Sequence, residues 1–254
     1  MKFVTFNIRC DYDQDGMNSF RYRKPLILQT IAREQPDILC FQEVLPHVAV
    51  WLKENLKDYY VIGCGRGVEL DDEQTSIAYR RDRYNLIQMQ TYWLSETPYV
   101  PGSRYPDQSI CPRATTEALF CEMDTGKVFR VVNTHLDHEG VSVRRKGLCQ
   151  ILTRLRNCEL FPEAPVVLAG DFNVEPGGEE LKVFEQFPGY TNAAEGVGMT
   201  FHAFMRKEEA EQIDYIYLHG PVRCVGVGKW TDHEGQLCLS DHYPVCAELE
   251  WVDA

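Results

Sequence analysis

The sequence predicts an α/β domain of mixed β-sheets with helices on their outer faces, and three observations predict it. Short apolar, β-branched runs alternate with helix-spaced segments in some places. Elsewhere two such runs adjoin across a tight turn, as hairpin strands do. At 254 residues and 44% hydrophobic content the chain can bury one sizeable core, and residues 1–254 read as a single domain. Sheet order does not follow from these observations.

Lys2–Ile8 is apolar and β-rich and reads as a strand. Ser19 or a neighbour is placed to cap a helix over Tyr22–Glu34, where Pro25 is tolerated only in the first turn. Asp37–Glu43 is a short buried strand ending in two polar residues. Pro46–Lys57 has helical spacing, with Val50, Leu52 and Leu56 near one face. Strands follow at Thr75–Tyr79 and Leu86–Leu94. Thr97–Arg113 carries Pro98, Pro101, Gly102, Pro106 and Pro112 and reads as a long functional surface loop. Glu117–Met123 and Val128–Asn133 form a hairpin around Asp124-Thr125-Gly126. Ser142–Asn157 is a helix, Pro165–Ala169 a continuous apolar strand, and Glu179–Phe187 a short helix. The last strands fall near Ile213–Leu218, Val222–Val227 and Val245–Trp251.

Composition narrows the function. Asp plus Glu number 38 against 26 Lys plus Arg, a net charge of −12, which disfavours non-specific binding to long nucleic acid. The densest basic clusters are only Arg21–Lys24, Arg80–Arg83 and Arg144–Lys146. No apolar run is long enough for a transmembrane helix, and the start MKFVTFNIRC reads as a strand, not a signal peptide. None of the ten cysteines forms a C-x-x-C pair and several lie in apolar strands, which favours buried reduced thiols in a cytoplasmic enzyme over disulfides or structural zinc.

Polar residues recur at predicted strand ends: Phe6-Asn7, Gln42-Glu43, Asn133-Thr134-His135, Gly170-Asp171-Phe172-Asn173 and Ser240-Asp241-His242. Asp214-Tyr215 adds a sixth pair inside an apolar run. Polar strand ends can share one rim of a sheet, where an open sheet builds its site. Singly each has an ordinary reading: Asn7 caps a turn, Glu43 is a solvated strand end, Asp171 and Asn173 make an Asx-turn, and His135 and His242 are hydrogen-bonded histidines. Asp214 is harder to dismiss, because a carboxylate buried in such a strand needs a partner.

The order FN, QE, NTH, GDFN, DY and SDH resembles the endonuclease/exonuclease/phosphatase family, whose fold is that of pancreatic deoxyribonuclease, and the resemblance runs from Phe6 to His242. It implies a four-layer sandwich: two mixed β-sheets face to face, helices on both outer sides, and a site at the open end. It further implies a metal site with Glu43 as main ligand, completed or supported by Asn7 and Asp241, an oxygen-rich set that suits Mg²⁺ or Mn²⁺. His242 would face the phosphate, oriented by Asp214. Asp171 would position or deprotonate water or handle the leaving-group proton, and Asn173 and His135 would hydrogen-bond the phosphoryl oxygens. Such an enzyme neutralises the charge that grows as a phosphoester is cleaved.

Two departures bear on substrate. Abasic-site endonucleases of this family carry an acidic residue two positions after the first Asn, where this chain has Arg9. Relatives often carry Lys or Arg two before the DY aspartate, where this chain has Gln212. Trp93–Pro98 resembles the branch holding bacterial proteins and deadenylase-like exonucleases, as does Thr200-Phe201, which is assigned no role. Arg113, closing the Pro-rich loop, reads equally as a contact to a substrate phosphate and as a surface arginine. Tyr99 and Tyr105 are expected over the mouth of the site, packing on a base or sugar. The favoured substrate is therefore a small or chain-terminal phosphoester. A 3′–5′ exonuclease on single-stranded RNA or DNA is the alternative, and an inactive binding module a remote one, because no motif is missing. His135-Leu136-Asp137-His138 also suggests a di-zinc hydrolase but lacks one histidine of that pattern, leaving His138 as a loop residue or second substrate contact.

Overall fold

The computed structural model describes residues 1–209 and 211–252. The chain runs β1 (Lys2–Asn7), α1 (Phe20–Glu34), β2 (Ile38–Val44), α2 (Pro46–Asn55), β3 (Tyr59–Ile62), β4 (Gln74–Arg80), β5 (Tyr84–Trp93), β6 (Ala114–Glu122), β7 (Val128–His135), α3 (Val141–Arg156) and β8 (Val166–Asp171). A 3-10 helix over Glu179–Gln186 follows, then β9 (Tyr190–Asn192), β10 (Asp214–His219), β11 (Val222–Lys229), β12 (His233–Glu234), β13 (Leu237–Cys238) and β14 (Val245–Trp251). One six-stranded sheet has the order β11-β14-β1-β2-β4-β3, the other β5-β6-β7-β8-β10-β9. Each is mixed, with one parallel pair, β1–β2 in the first and β7–β8 in the second.

Three apolar layers hold this arrangement, as a four-layer sandwich requires. Alternate residues of each strand face opposite ways, so Phe3, Ile38, Ile77, Phe120, Val131, Val167 and Ile216 meet between the sheets. The intervening Val4, Phe6, Leu39 and Phe41 pack outward on Phe20, Ile27 and Ile31 of α1 and Val48 and Leu52 of α2. On the other side Val132, Leu168 and Tyr217 pack on Leu148, Ile151 and Leu152 of α3 and on Val183.

The same period of two places the site. Reading each inward-facing row toward one rim, Phe3 gives way to Thr5 and Asn7, Cys40 to Gln42, Ile77 to Thr75, Val131 to Asn133 and His135, and Ala169 to Asp171. The space between the sheets thus turns from apolar to polar along unbroken strands. Its amides are linked to each other: Gln42 Nε2 donates to Thr5 Oγ1 (3.1 Å) and Asn133 Oδ1 (2.7 Å), and Asn133 Nδ2 donates to the carbonyls of Phe41 and Ser76, while Gln42 Oε1 has no partner.

Several local expectations are corrected. Ser19 stands at the N-cap of α1, but its hydroxyl donates to the Gly16 carbonyl and does not cap the helix. Asp214 is the first residue of its strand, not an interior one. β10 runs antiparallel to β8 with Asp214 opposite Asp171, so the start of one and the end of the other meet at one rim. The helix expected at Glu179–Phe187 is 3-10. No helix among the described residues is long and apolar enough to cross a membrane. All ten cysteines are unpaired.

Candidate active site

β1, β2, β7 and β8 end at this rim, and β4, β6 and β10 begin there. Each contributes its terminal or adjoining residue to one cavity of about 760 Å³, lined by Glu43, Arg113, His135, Asp171, Asn173, Asp241 and His242 among others. Asn7 lies beneath, its Nδ2 donating at 2.9 Å to both Glu43 Oε1 and Asp171 Oδ2. This amide ties the two sheets together at the site.

Glu43 reaches the cavity through a backbone irregularity. Phe41 and Val44 pair with Ser76 and Gln74, so Gln42 and Glu43 together oppose Thr75, and Glu43 takes the left-handed conformation with φ 62°. Such a bulge re-aims a side chain beside active sites, and the unusual φ for a non-glycine residue stores strain there. Cys10 N–H donates to Glu43 Oε2 at 2.8 Å. Burial pushes the Glu43 carboxyl up, but donation from Asn7 and Cys10, with the charges of His242 and Arg9, holds it below its ordinary value.

The GDFN turn is equally constrained. Gly170 has φ 145°, and a Cβ there would lie 1.9 Å from the Thr134 carbonyl oxygen, so only glycine lets β7 and β8 approach this closely. Asn173 is left-handed at φ 52°, and its N–H donates to Asp171 Oδ1 at 2.9 Å, the Asx-turn expected from the sequence. Its Nδ2 donates to the Leu136 carbonyl, which joins the turn to the end of β7.

Asp171, His135 and Glu43 form one cluster and Asp171, Asp214 and His242 another, the ligand-capable atoms of each lying within 4.8 Å of one another. His242 Nδ1 donates to Asp214 Oδ2 at 2.8 Å, and its Nε2 lies 3.8 Å from Asp171 Oδ2. Asp214 is fixed in turn by Thr200, whose hydroxyl accepts the N–H groups of Ile213 and Asp214. Burial and the neighbouring Asp214 push the Asp171 carboxyl up to about 7, against His242, Asn7 and Asn173. Burial disfavours the His242 imidazolium, but the charge and hydrogen bond of Asp214, then Asp171 and Asp241, outweigh it and raise the ring to about 10. Burial, with Arg113 and Arg66, holds His135 well below the ordinary imidazole value, so it is neutral. A carboxyl pushed up, beside one histidine raised and one lowered, is an arrangement able to do acid–base chemistry.

Asp241 accepts from Ser240 Oγ at 3.1 Å and stands 3.5 Å from Arg9 Nε, outside both clusters. Arg9 also bonds Asp15 through Nε and Nη2, so the residue standing where repair relatives carry an acid brings a cation to Asp241 and Asp15. Arg113 is not a surface arginine: it is 4% exposed and lines the cavity. Tyr99 and Tyr105 do not line it. Tyr105 is buried in the layer under α3 and donates to Gln150 Oε1, and the Tyr99 hydroxyl accepts from Arg154.

Sequence reasoning passed over Arg66 and Glu73 in the cavity wall, read Arg144 only as part of a basic cluster, and gave Phe201 no role. The ring of Phe201 lies 4.8 Å from that of His242. The glycines around Arg66, in Cys64-Gly65-Arg66-Gly67, were the available signal. A Cβ on Gly65 would lie 1.9 Å from the Asp71 carbonyl oxygen, so that turn is tight and holds Arg66 against Glu73 (2.9 Å).

The family described as endonuclease/exonuclease/phosphatase matches residues 4–242. An endonuclease/exonuclease/phosphatase from Bacteroides vulgatus is 35% identical, each chain covered to 98%, with a TM-score of 0.92. The mannosyl-6-phosphatase of Bacteroides thetaiotaomicron is 27% identical over 99% of this chain and 100% of its own, with a TM-score of 0.89. The human nocturnin catalytic domain, 19% identical over 99% of this chain and 93% of its own with a TM-score of 0.78, shares the fold. The chain belongs to the endonuclease/exonuclease/phosphatase family and is a phosphoric ester hydrolase of that phosphatase and nuclease class.

Proposed function

We propose that this protein is a Mg²⁺-dependent phosphoesterase acting on a small or chain-terminal phosphoester. The supporting observation is the buried Asp171–His242–Asp214 centre at the wall of a cavity of about 760 Å³ that Glu43 also lines. The donor set fits a hard cation: each Glu43 oxygen accepts one hydrogen bond and keeps a lone pair, and Asn7 Oδ1 accepts only Arg9 N–H. Glu43, Asn7 and Asp241 would hold Mg²⁺ or Mn²⁺, which when bound supplies Lewis-acid neutralisation of phosphoryl charge.

The chain's own residues supply the rest. Asp171, a carboxyl raised to about 7, accepts a proton from the attacking water. The His242 imidazolium, held by Asp214, donates toward the phosphoryl group and stabilises developing negative charge. One N–H of the Asn173 amide is engaged by Leu136, which leaves the other for a phosphoryl oxygen, and the neutral His135 ring in the cavity wall has an N–H to offer it as well.

Substrate size follows from what surrounds the centre. A polynucleotide track needs a stripe of Lys and Arg. Arg80 ends β4 at the rim opposite the site, Arg144 is spent on Glu180, and Lys146 on Asp107. A similar fold in a protein named a mannosyl-6-phosphatase supports the small-substrate reading. The Phe201 ring in the cavity wall favours a second reading, a 3′–5′ exonuclease that stacks a terminal base. Ten free thiols fit a reducing, cytoplasmic compartment. The test compares kcat/KM, with Mg²⁺ and after chelation, on a hexose 6-phosphate, a mononucleotide, a single-stranded oligonucleotide and a closed circular duplex. Turnover of the small esters that vanishes with the metal is expected. Nicking of the closed circle with little turnover of the others would overturn the reading.

A further inference from the structure

Arg113 immediately precedes β6 and so stands at the site rim. Its guanidinium is buried, yet only Nη2 has a partner, donating to His138 Nδ1 at 2.9 Å. Nε and Nη1 have none. A buried guanidinium without a carboxylate is strongly unfavourable unless an anion completes it. Every other arginine of the cavity wall is paired: Arg9 with Asp15, Arg66 with Glu73, and Arg144 with Glu180.

The surroundings hold Arg113 in place. Ser109, four residues earlier, donates to the Asp137 carboxylate, which also accepts the N–H groups of Glu139 and Gly140. The end of the Pro-rich loop is thereby clipped to the segment carrying His138. In the sheet order, Arg113 before β6 and Asp171 at the end of β8 stand on either side of β7, whose last residue His135 has its Nε2 3.5 Å from Asp171 Oδ2. A monophosphate seated at Asp171 and His242 leaves this guanidinium uncompensated.

We propose that Arg113 and His138 form a second anion subsite, and that the substrate is a small phosphoester carrying another phosphate or equivalent anion besides the one cleaved. This rests on the small-phosphoester reading above and names its substrate class. Nη2 gives one of its two N–H groups to His138, and the other makes a planar fork with Nε or Nη1, the geometry that grips a phosphate. His138, 47% exposed in its side chain, borders the subsite and accepts from Arg113.

The experiment pairs each monophosphate with its bisphosphate counterpart: fructose 6-phosphate with fructose 1,6-bisphosphate, and adenosine 5′-monophosphate with adenosine 3′,5′-bisphosphate. Wild type is expected to favour the bisphosphate in at least one pair by about tenfold or more in kcat/KM, the worth of a charge-assisted hydrogen bond. That ratio is expected to collapse toward one in Arg113→Met. In the absence of anions Arg113→Met is expected to melt no lower than wild type, because an uncompensated buried charge is removed. Arg113→Lys, which keeps the charge but not the planar fork, and His138→Ala, which removes the acceptor of Nη2, give the same ratio test if Arg113→Met does not fold. Calorimetric titration of the chelated protein with the bisphosphates reads the subsite without turnover. Binding there that is lost in Arg113→Met supports the subsite even if no ester is hydrolysed, the outcome that would instead defeat the enzymatic reading. Equal handling of mono- and bisphosphates by wild type, or a preference that survives in all three variants, overturns the proposal.

Discussion

The Asp214–His242 pair gives the sharpest test of the mechanism. Asp214→Asn keeps the shape of the side chain and removes its charge. The carboxylate is 1% exposed and its Oδ2 accepts His242 Nδ1 at 2.8 Å, while Oδ1 has no partner, so the whole interaction runs through one charge-assisted bond. Breaking one half of a buried ion pair is worth about 3–5 kcal/mol. If that interaction operates fully in the transition state, the loss is about 10²- to 10⁴-fold in rate. His242→Ala removes the imidazole and should lose as much. Because the one hydrogen bond of the Asp214 carboxylate goes to His242, the double variant should fall within about threefold of His242→Ala alone. The assay is kcat/KM on a chromogenic phosphoester at saturating Mg²⁺, with thermal melting confirming that each variant is folded. Losses that multiply in the double variant would refute the pairing and leave Asp171 to work without an oriented partner.

Three further outcomes are expected. Chelation should abolish turnover, Mg²⁺ or Mn²⁺ should restore it, and Glu43→Gln should lose most activity while remaining folded; full activity at limiting Mg²⁺ in that variant would place the metal elsewhere. Arg23→Met should destabilise by about 3–5 kcal/mol in urea unfolding, since the buried Arg23 donates to the carbonyls of Asn18, Ile8, Leu239 and Arg9 and its loss strands those acceptors. Thiol titration of the denatured, unreduced protein should count nearly all ten cysteines as free, and two or more disulfides would reverse the assignment to a reducing compartment.

The parts of the structure legible in the sequence are those governed by short-range pattern. Apolar runs gave the central strands, and the polar residues closing them gave the rim that carries Asn7, Glu43, His135 and Asp171. β3, β9, β12 and β13 were not read because two to four residues carry no usable period. Asp214 read as interior because Ile213 before it and Tyr215-Ile216 after it look like one apolar run, whereas the strand starts only where β8 offers a partner. Tyr105 was misjudged for a related reason. Its environment comes from Gln150 on α3, 45 residues away, and nothing in the local Pro-rich composition records that contact. The burial of Arg113 likewise depends on a segment 25 residues later. The bulge at Glu43 is a pairing irregularity between β2 and β4, invisible until both strands are in place.

The residues proposed to carry the reaction belong to strand ends or to the turns that adjoin them, fastened across both sheets by the Asn7 amide. The far wall, by contrast, is made by two connecting segments, the stretch before β6 and the stretch after β7, held to each other by Ser109–Asp137 and Arg113–His138. Chemistry and selectivity are therefore built from separable parts. An exchange of those two segments as a unit, cut where β5 and β7 end and where β6 and α3 begin, leaves the inward rows of both sheets untouched. The fold is thus a socket with an interchangeable face, and a new substrate can be sought by transplanting the pair together, because either segment alone arrives without the contacts that hold it.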